Sequence, residues 1–187
     1  MRRLLVISAA VLCALFAAGC GNKEEVVTEA HTEGIYLDVD HLKYQVQISR
    51  YMNPNDVEDR SYLAGLPSST SQPGGDETWF GVFIRVQNTT DETIAPANDF
   101  MIVDTQDKKY RPVPIDTNVN PFAFKPGIAV PGNTIFPLSS SAAGQGPIQG
   151  SLLLFKVPYA NLQNRPLEFE ISDPANPSKK ASVALDV

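Results

Sequence analysis

Few side chains of this sequence are of the types that bind transition metals. Beyond residue 20 the imidazole and thioether groups are His31, His41, Met52 and Met101, and no His-x-Met or paired-histidine spacing occurs. A soft copper site needs several such ligands converging on one ion. The pattern therefore predicts that the protein holds no metal ion and no other cofactor.

A cluster of oxygen ligands is the next candidate for chemistry. Asp56, Glu58 and Asp59 share one segment with Asn53 and Asn55, and Ca²⁺ prefers carboxylate and amide oxygens. The Asp-x-Asp-x-Asp-Gly spacing of calcium loops is missing, however. We interpret these groups as solvated loop side chains.

Few residues of this chain are suited to nucleophilic catalysis. No Gly-x-Ser-x-Gly motif occurs, and Ser68, Ser69 and Ser71 lie in a run typical of a flexible loop. A carboxylate pair for sugar hydrolysis stays possible in any acidic protein, but no motif selects one. We predict that the protein is not an enzyme, with an envelope hydrolase as a remote alternative.

Cys20 is the residue with the clearest chemical role. Residues 1–19 show the signal-peptide order of positive residues, a short apolar run and small residues, and the run is shorter than the roughly 20 residues that span a bilayer. The sequence AAGC at residues 17–20 resembles the bacterial lipobox, in which the cysteine receives a diacylglyceryl group before cleavage in front of it. The family favours Leu where this chain has Ala17. Ordinary cleavage, which would leave Cys20 as a free thiol, is the alternative.

The number of cysteines favours lipidation. The other cysteine, Cys13, lies within the leader and is lost with it, so Cys20 has no disulfide partner in the mature chain. Acyl chains, at about 0.8 kcal/mol per buried CH₂, would anchor the protein to the membrane. We expect a chain held on the outer face of the bacterial cell membrane.

Charge restricts the possible partners. Of 15 Lys+Arg, Arg2 and Arg3 leave with the leader, so the mature chain has 13 against 21 Asp+Glu and a net charge of −8. Such a chain repels phosphate backbones, and we predict no nucleic-acid partner.

Three regions follow from the pattern along the chain. Residues 1–19 are the signal peptide, residues 20–33 are the lipidated cysteine and an acidic, flexible tether, and residues 34–187 are one domain. In the domain, apolar residues alternate with polar ones in short runs, which predicts strands with one buried face. The 15 prolines and 12 glycines argue against long helices.

These runs predict an all-β, antiparallel sandwich of seven to nine strands. The longest run, residues 78–88, has Phe80, Val82, Ile84 and Val86 on one face, and the run at 151–157 is apolar on both faces, as in a central strand. The predicted core comprises Phe80, Val82, Ile84, Val86, Leu153, Phe155, Leu167, Phe169 and Ile171.

A longer stretch of the sequence resembles a known domain family. Residues 79–113 form a strand ending in Val-x-Asn-Thr, a polar turn, Asp-Phe before a second strand, and a charged hairpin ending in Tyr. With the downstream GNTIFPLSS, GSLLLFKVP and PLEFEI, this resembles the immunoglobulin-like domain of unknown function on Gram-positive and actinobacterial lipoproteins, a group related in fold to the mycobacterial immunoprotective extracellular antigen. The resemblance covers roughly residues 35–172 and implies an immunoglobulin-like sandwich. It implies no catalytic residue.

Two pairs of aromatic residues are candidates for a partner surface. Trp79 and Phe83 have the opposite parity to Phe80, so we expect them on the outer face of their strand, where they are exposed unless a neighbouring loop covers them. Phe122 and Phe124 either contact a partner or plug one end of the sandwich.

Two long loops flank these aromatics, at residues 53–77 and 114–133. If successive strands alternate in direction, the loops lie at opposite ends of the sandwich and form no joint site. We therefore expect a non-catalytic, lipid-anchored surface module that binds an envelope protein or polymer. The alternative is a small-molecule or metal-carrying lipoprotein.

Overall fold

A computed structural model describes residues 25–173 and 175–187 of the chain. The predicted signal peptide and the predicted lipidation site, Cys20, lie outside the described residues. Within the described ranges no helix is long and apolar enough to cross a membrane.

Period-two patterning produces ten strands in the part of the chain that the structure describes. They are β1 (Glu29–Ala30), β2 (Tyr36–Val39), β3 (Leu42–Met52), β4 (Glu77–Asn88), β5 (Asp99–Val103), β6 (Lys109–Tyr110), β7 (Thr134–Phe136), β8 (Ser151–Pro158), β9 (Glu168–Asp173) and β10 (Asn176–Ala184). The helical elements are short: α1 (Val57–Tyr62), α2 (Ala142–Gln145) and a 3₁₀ helix (Tyr159–Gln163).

The strands form two sheets. One has the order β1-β10-β9-β5-β6, and the other has the order β2-β3-β4-β7, with β8 also paired to β4. All pairs are antiparallel except β1 with β10. The predicted antiparallel β-sandwich is confirmed, with ten strands among the described residues where the sequence predicted seven to nine.

Strand β4 organises the second sheet. Along one edge it pairs with β3 from Leu42↔Asn88 to Met52↔Trp79. Along the other edge it pairs first with β8 and then, over its last three residues, with β7. Because β4 has neighbours on both edges, it is a central strand.

The interior of the sandwich contains the predicted core. All nine predicted residues are buried and belong to one hydrophobic cluster. Phe80, Val82 and Ile84 point into this cluster because alternate side chains of a strand lie on the same face. Aromatic rings link the two sheets: the ring of Phe169 on β9 lies 6.3 Å from that of Phe155 on β8, edge to face.

A second hydrophobic cluster lies on the outer face of β4. It contains Met52, Tyr62, Trp79, Phe83, Leu152 and Leu154. We call it the outer cluster. It exists because the strands at its centre, β4 and β8, are apolar on both faces, so their outer face also has to be covered.

The N-terminal segment differs from the predicted tether. Residues 29–30 form β1, and the backbone NH of Ser182 donates to the Thr28 carbonyl at 2.9 Å. Glu33 accepts hydrogen bonds from the Ser49 backbone NH, at 3.1 Å, and from the Ser49 hydroxyl. Residues 28–33 thus pack on the domain, through a backbone hydrogen bond from β10 and through the hydrogen bonds between Glu33 and Ser49 of β3.

Candidate binding site

The structure buries the first predicted pair of surface aromatics. Trp79 is 1 % exposed and Phe83 is 0 % exposed. Both lie on the outer face of β4, as their parity predicts, but within the outer cluster, where the Tyr62 ring packs edge-on against Phe83 at 5.0 Å. Trp79 and Phe83 therefore do not form an exposed partner surface, because α1 and the chain around Phe122 cover them, as the alternative of a covering loop predicts.

The two long loops meet over this cluster instead of lying at opposite ends. The Nδ2 of Asn120 donates to the carbonyls of Tyr62, at 2.8 Å, and Ala64, at 3.0 Å. The backbone NH of Asp116 donates to the carbonyl of Gly65 at 2.8 Å. The expectation of two separate loops is wrong because each loop is long enough to leave its end of the sandwich and cross the apolar outer face.

The second aromatic pair lies along the edge of β8. The NH of Leu152 donates to the Phe122 carbonyl at 2.7 Å, and the NH of Phe124 donates to the Leu152 carbonyl at 2.8 Å. This extended segment sends Phe122 outward, 4.9 Å from the Tyr62 ring, and Phe124 inward, 5.2 Å from the Phe100 ring. Both are half-buried. Phe122 therefore packs against the outer cluster, and Phe124 packs against the inner core.

Phe124 also lines an apolar groove at the end of the sandwich where β4 meets β7. The groove has a volume of about 210 Å³. Its apolar walls, which define the Phe124 groove, are Phe124, Ile128, Val130, Phe136, Pro137 and Leu138. Ile128 and Leu138 are partly exposed at its mouth, and Lys125 is the charged residue beside it.

A larger cleft lies at the opposite end of the sheet, where β3 ends and β4 begins. Its volume is about 410 Å³. The Trp79 cleft is defined by Tyr51, Asn53, Gln72, Glu77, Trp79 and Tyr159, with Pro54 and Pro73 also in its wall. Tyr159 is held there because its backbone NH donates to the Asp76 carbonyl at 2.9 Å, and its side chain is 50 % exposed.

Two residues that border this cleft have a buried polar atom without a hydrogen-bond partner among the described residues. These atoms are the indole Nε1 of Trp79 and the hydroxyl of Tyr51. Burial raises the pKa of Tyr51, so its hydroxyl stays protonated and can donate. Buried polar groups in folded proteins nearly always have a partner. The two side chains lie on opposite faces of the sheet, with Trp79 in the outer cluster and Tyr51 against Phe80 of the inner core.

Glu77 is the carboxylate of the cleft. The Gly74 amide donates to its Oε2 at 3.2 Å, and Lys156 Nζ lies 3.4 Å from the same oxygen. The amide hydrogen bond, together with the Lys156 charge, holds the pKa of Glu77 below its ordinary value. The cleft therefore carries one ionised carboxylate at neutral pH.

The acidic segment considered for calcium has structural roles. Asp56 caps α1 by accepting from the backbone NH groups of Glu58, at 2.9 Å, and Asp59, at 3.2 Å. Asp59 is buried, pairs with Arg50 and accepts from the Asn53 NH at 2.7 Å. Among residues 25–173 and 175–187, no group of three or more His, Cys, Asp or Glu side chains is arranged to hold a metal ion.

Sequence analysis did not single out Tyr51, Gln72 or Tyr159. Tyr51 and Tyr159 are separated by more than a hundred residues, and no spacing links them to Trp79. The available signal was positional: Tyr51 is near the end of a predicted strand, and Tyr159 follows another.

Comparison with known proteins gives similarity of fold. No family model matches the chain, and no curated protein sequence matches it. An uncharacterized beta-sandwich protein from Clostridium difficile 630 has a TM-score of 0.48 at 10 % identity, over 88 % of this chain and 98 % of that one. The yjhA protein from Bacillus subtilis has a TM-score of 0.45 at 13 % identity, over 83 % and 99 %. A structure named "putative lipoprotein (ycdA)", from Bacillus subtilis subsp. subtilis str. 168, has a TM-score of 0.49 at 13 % identity, over 87 % of this chain and 39 % of that one.

Proposed function

We propose that this protein is a lipid-anchored, non-catalytic binding module on the outer face of the bacterial cell membrane. Cys20 is the anchored residue, and the Trp79 cleft is the recognition surface. The leader pattern, the lipobox-like AAGC and the resemblance to the immunoglobulin-like domain of bacterial lipoproteins support the anchor. A cleft with a single carboxylate suits binding better than glycoside hydrolysis, which uses a carboxylate pair.

The observation that carries the proposal is the position of the chain's entry into the domain. The NH of Val27 donates to the Asp38 carboxylate at 2.8 Å, and the NH of Asp38 donates to the Val27 carbonyl at 2.6 Å. Asp38 lies on β2 beside the turn that connects β2 to β3. Leu42, the first residue of β3, pairs with Asn88, the last residue of β4. The chain therefore enters at the end of the sheet opposite to the Trp79 cleft.

The lengths of two chain segments give the orientation of the domain relative to the membrane. Val27 is seven steps along the chain from Cys20, so the anchor can lie at most about 25 Å from the domain. Strand β3 has 11 residues, which extend about 33 Å from the entry end to the cleft end. A chain anchored at Cys20 would hold its entry end near the bilayer and present the Trp79 cleft to the envelope.

Single-cysteine labels test the orientation. Both native cysteines precede the described residues, and acylation consumes the thiol of Cys20, so an introduced cysteine takes a unique label. His41→Cys lies in the turn at the entry end, with a side chain 70 % exposed. Leu162→Cys lies at the cleft end, 42 % exposed.

Energy transfer from each label to an acceptor dye in the membrane should be stronger at position 41 than at position 162. Cys20→Ser should move the protein from the membrane fraction to the soluble fraction or stall its processing. Equal transfer from both labels, or an intact mass showing an unmodified thiol at Cys20, would refute the proposed arrangement.

A second candidate is carriage of a small apolar molecule, and the Phe124 groove favours it. The groove is apolar and open, with Ile128 46 % exposed at its mouth. An environment-sensitive apolar dye should bind the wild-type chain and bind less to Ile128→Ser. An unchanged affinity in that variant would exclude the groove as the site.

A further inference from the structure

We infer that the mouth of the Phe124 groove is a second membrane contact, which inserts its exposed apolar side chains into the outer leaflet of a zwitterionic bilayer. We call these side chains, Ile128 and Leu138, the groove rim. The inference rests on the proposed function in taking the entry end of the domain to face the bilayer. It adds a surface that would hold the domain in one orientation, which a flexible tether does not do.

The Phe124 groove lies at the same end of the sandwich as the entry of the chain. Leu42, which follows the β2–β3 turn, pairs with Asn88 at the end of β4. The Nδ2 of Asn88 donates to the carbonyl of Val130, which lines the groove, at 2.9 Å. In the strand order β2-β3-β4-β7, three interstrand spacings, about 14 Å, separate β2 at the entry from β7 at the groove. An anchor within about 25 Å of the entry can therefore bring the groove rim to the same bilayer.

The loop that carries Ile128 is held on both sides. The NH of Phe124 donates to a carbonyl of β8 at 2.8 Å, and Val130 exchanges two backbone hydrogen bonds, at 2.7 and 3.0 Å, with the segment that follows β4. Between these points Pro126 and Gly127 form a turn, in which Gly127 has a φ of +77° that glycine adopts without strain. The short loop therefore keeps Ile128 at the surface.

The groove rim is an exposed part of a continuous apolar surface. Ile128 is 46 % exposed and Leu138 is 42 % exposed. Both belong to the walls of the groove, whose other members are mostly apolar. Exposed apolar patches that continue into a groove mark contacts with proteins, ligands or membranes. A membrane is favoured here because the anchor would bring this end of the domain to the bilayer.

The charges at this end select the kind of lipid surface. Lys125 is exposed beside the groove rim, and its long side chain can place the ammonium group against lipid phosphates while its stem lies on apolar surface. Asp91 and Glu92 are exposed on the turn after β4 and oppose an anionic surface. The contact therefore favours zwitterionic lipids over anionic ones.

The contact depends on the anchor for its strength. Two half-exposed side chains bury little apolar surface, and membrane binding at an interface scales with that area. A short flexible tether makes the second contact intramolecular, with an effective concentration that is roughly millimolar. The contact therefore has to be tested in a tethered chain.

The test replaces the acyl anchor with a chemical one. A chain beginning at Cys20 keeps every described residue, and Cys20 is its one thiol, so it couples to a maleimide lipid in phosphatidylcholine vesicles. Ile128→Trp adds a tryptophan at the groove rim. On coupling, its emission should shift to shorter wavelength. Lipids brominated near the top of the acyl chain should quench it, because an inserted apolar surface lies about 5–10 Å into the headgroup and acyl boundary.

Matched variants assign the quenching to the groove rim. Leu162→Trp, at a position 42 % exposed at the cleft end, should show neither the shift nor the quenching. The native Trp79 is buried, about 23 Å along β4 from the groove, and gives the same background in every variant. In the Ile128→Trp chain, Leu138→Ser should reduce the quenching. Val57→Ser, at a position 75 % exposed on α1, should leave it unchanged.

The inference would be overturned if Ile128→Trp were quenched no more than Leu162→Trp, if Leu138→Ser left the quenching unchanged, or if vesicles with anionic lipid gave the stronger quenching. Leu138→Trp is the reporter if Ile128→Trp lowers the melting temperature. The chemical tether does not depend on acylation. An unmodified Cys20 in cells would therefore refute the proposed anchor alone, and an unquenched groove rim on the tethered chain would refute the membrane contact alone.

Discussion

Asn120 provides the sharpest test of how the two long loops are joined. It is fully buried, with 0 % of its side chain exposed. Its Nδ2 donates to the Tyr62 and Ala64 carbonyls, and its Oδ1 accepts from the Phe122 NH at 3.0 Å. Asn120→Ala therefore removes three hydrogen bonds and leaves backbone groups beneath the loops without partners.

The magnitude follows from that count. At about 1 kcal/mol for each of the three hydrogen bonds, Asn120→Ala should lower the free energy of unfolding by about 3 kcal/mol. In a domain of this size each kcal/mol shifts the melting temperature by about 2–4 °C, so we expect a fall of about 6–12 °C. The melting temperature is measured by thermal unfolding, with the β-strand signal followed by circular dichroism.

Asn118→Ala is the matched control. It removes the same kind of side chain two residues away, where Asn118 is exposed and uses only its backbone NH in a hydrogen bond, to Asp116. Its melting temperature should stay within about 2 °C of the wild type. If Asn120→Ala also stayed within that range, the loops would not be held by this residue, and the account of the buried outer cluster would fail.

Three further predictions concern the core, a turn and the response to alkali. Phe169→Ala should lower the free energy of unfolding by about 3–5 kcal/mol, because the ring is fully buried and stacks on Phe100 at 5.9 Å. Denaturant unfolding measures this change, and a loss below about 1 kcal/mol would contradict the central position of Phe169. Gly132→Ala should lower the free energy of unfolding by about 1–3 kcal/mol, because the added Cβ would lie 2.5 Å from the Asp91 carbonyl oxygen. Gly75→Ala should be nearly neutral, because nothing lies within 4 Å of its added Cβ. Equal melting temperatures of the two variants would contradict this. Burial raises the pKa of Tyr62 to about 12, above the value of about 10 in unfolded chains, so the folded state binds the proton more tightly and loses stability as pH rises from about 10 to 12. Tyr62→Phe should reduce that loss, and an identical pH profile in the variant would refute the assignment.

Much of the fold could be predicted from local patterns. The nine predicted core residues are buried because side chains alternate across a strand, so parity alone separates the inner face of β4 from its outer face. The double-sided apolar run at residues 151–157 likewise indicated a strand covered on both faces. Strand β7 was missed because three residues carry too little periodicity to be recognised.

The residues of the candidate site could be predicted less well from such local patterns. Trp79 was singled out for its parity, but whether it is exposed depends on loops that cross the outer face. That crossing is held by contacts such as Asn120 to Tyr62, which are 58 residues apart. Tyr51 and Tyr159 join Trp79 because β3 and β8 end where β4 begins, at one end of the sheet.

The sequence by itself determined the alternation of strands and the residues of the inner core, because both depend on the pattern of neighbouring residues. The tertiary structure decided which apolar face the loops cover, where the chain enters the domain and which side chains line the Trp79 cleft. Those features depend on hydrogen bonds and packing between distant segments, and no local pattern carries that information.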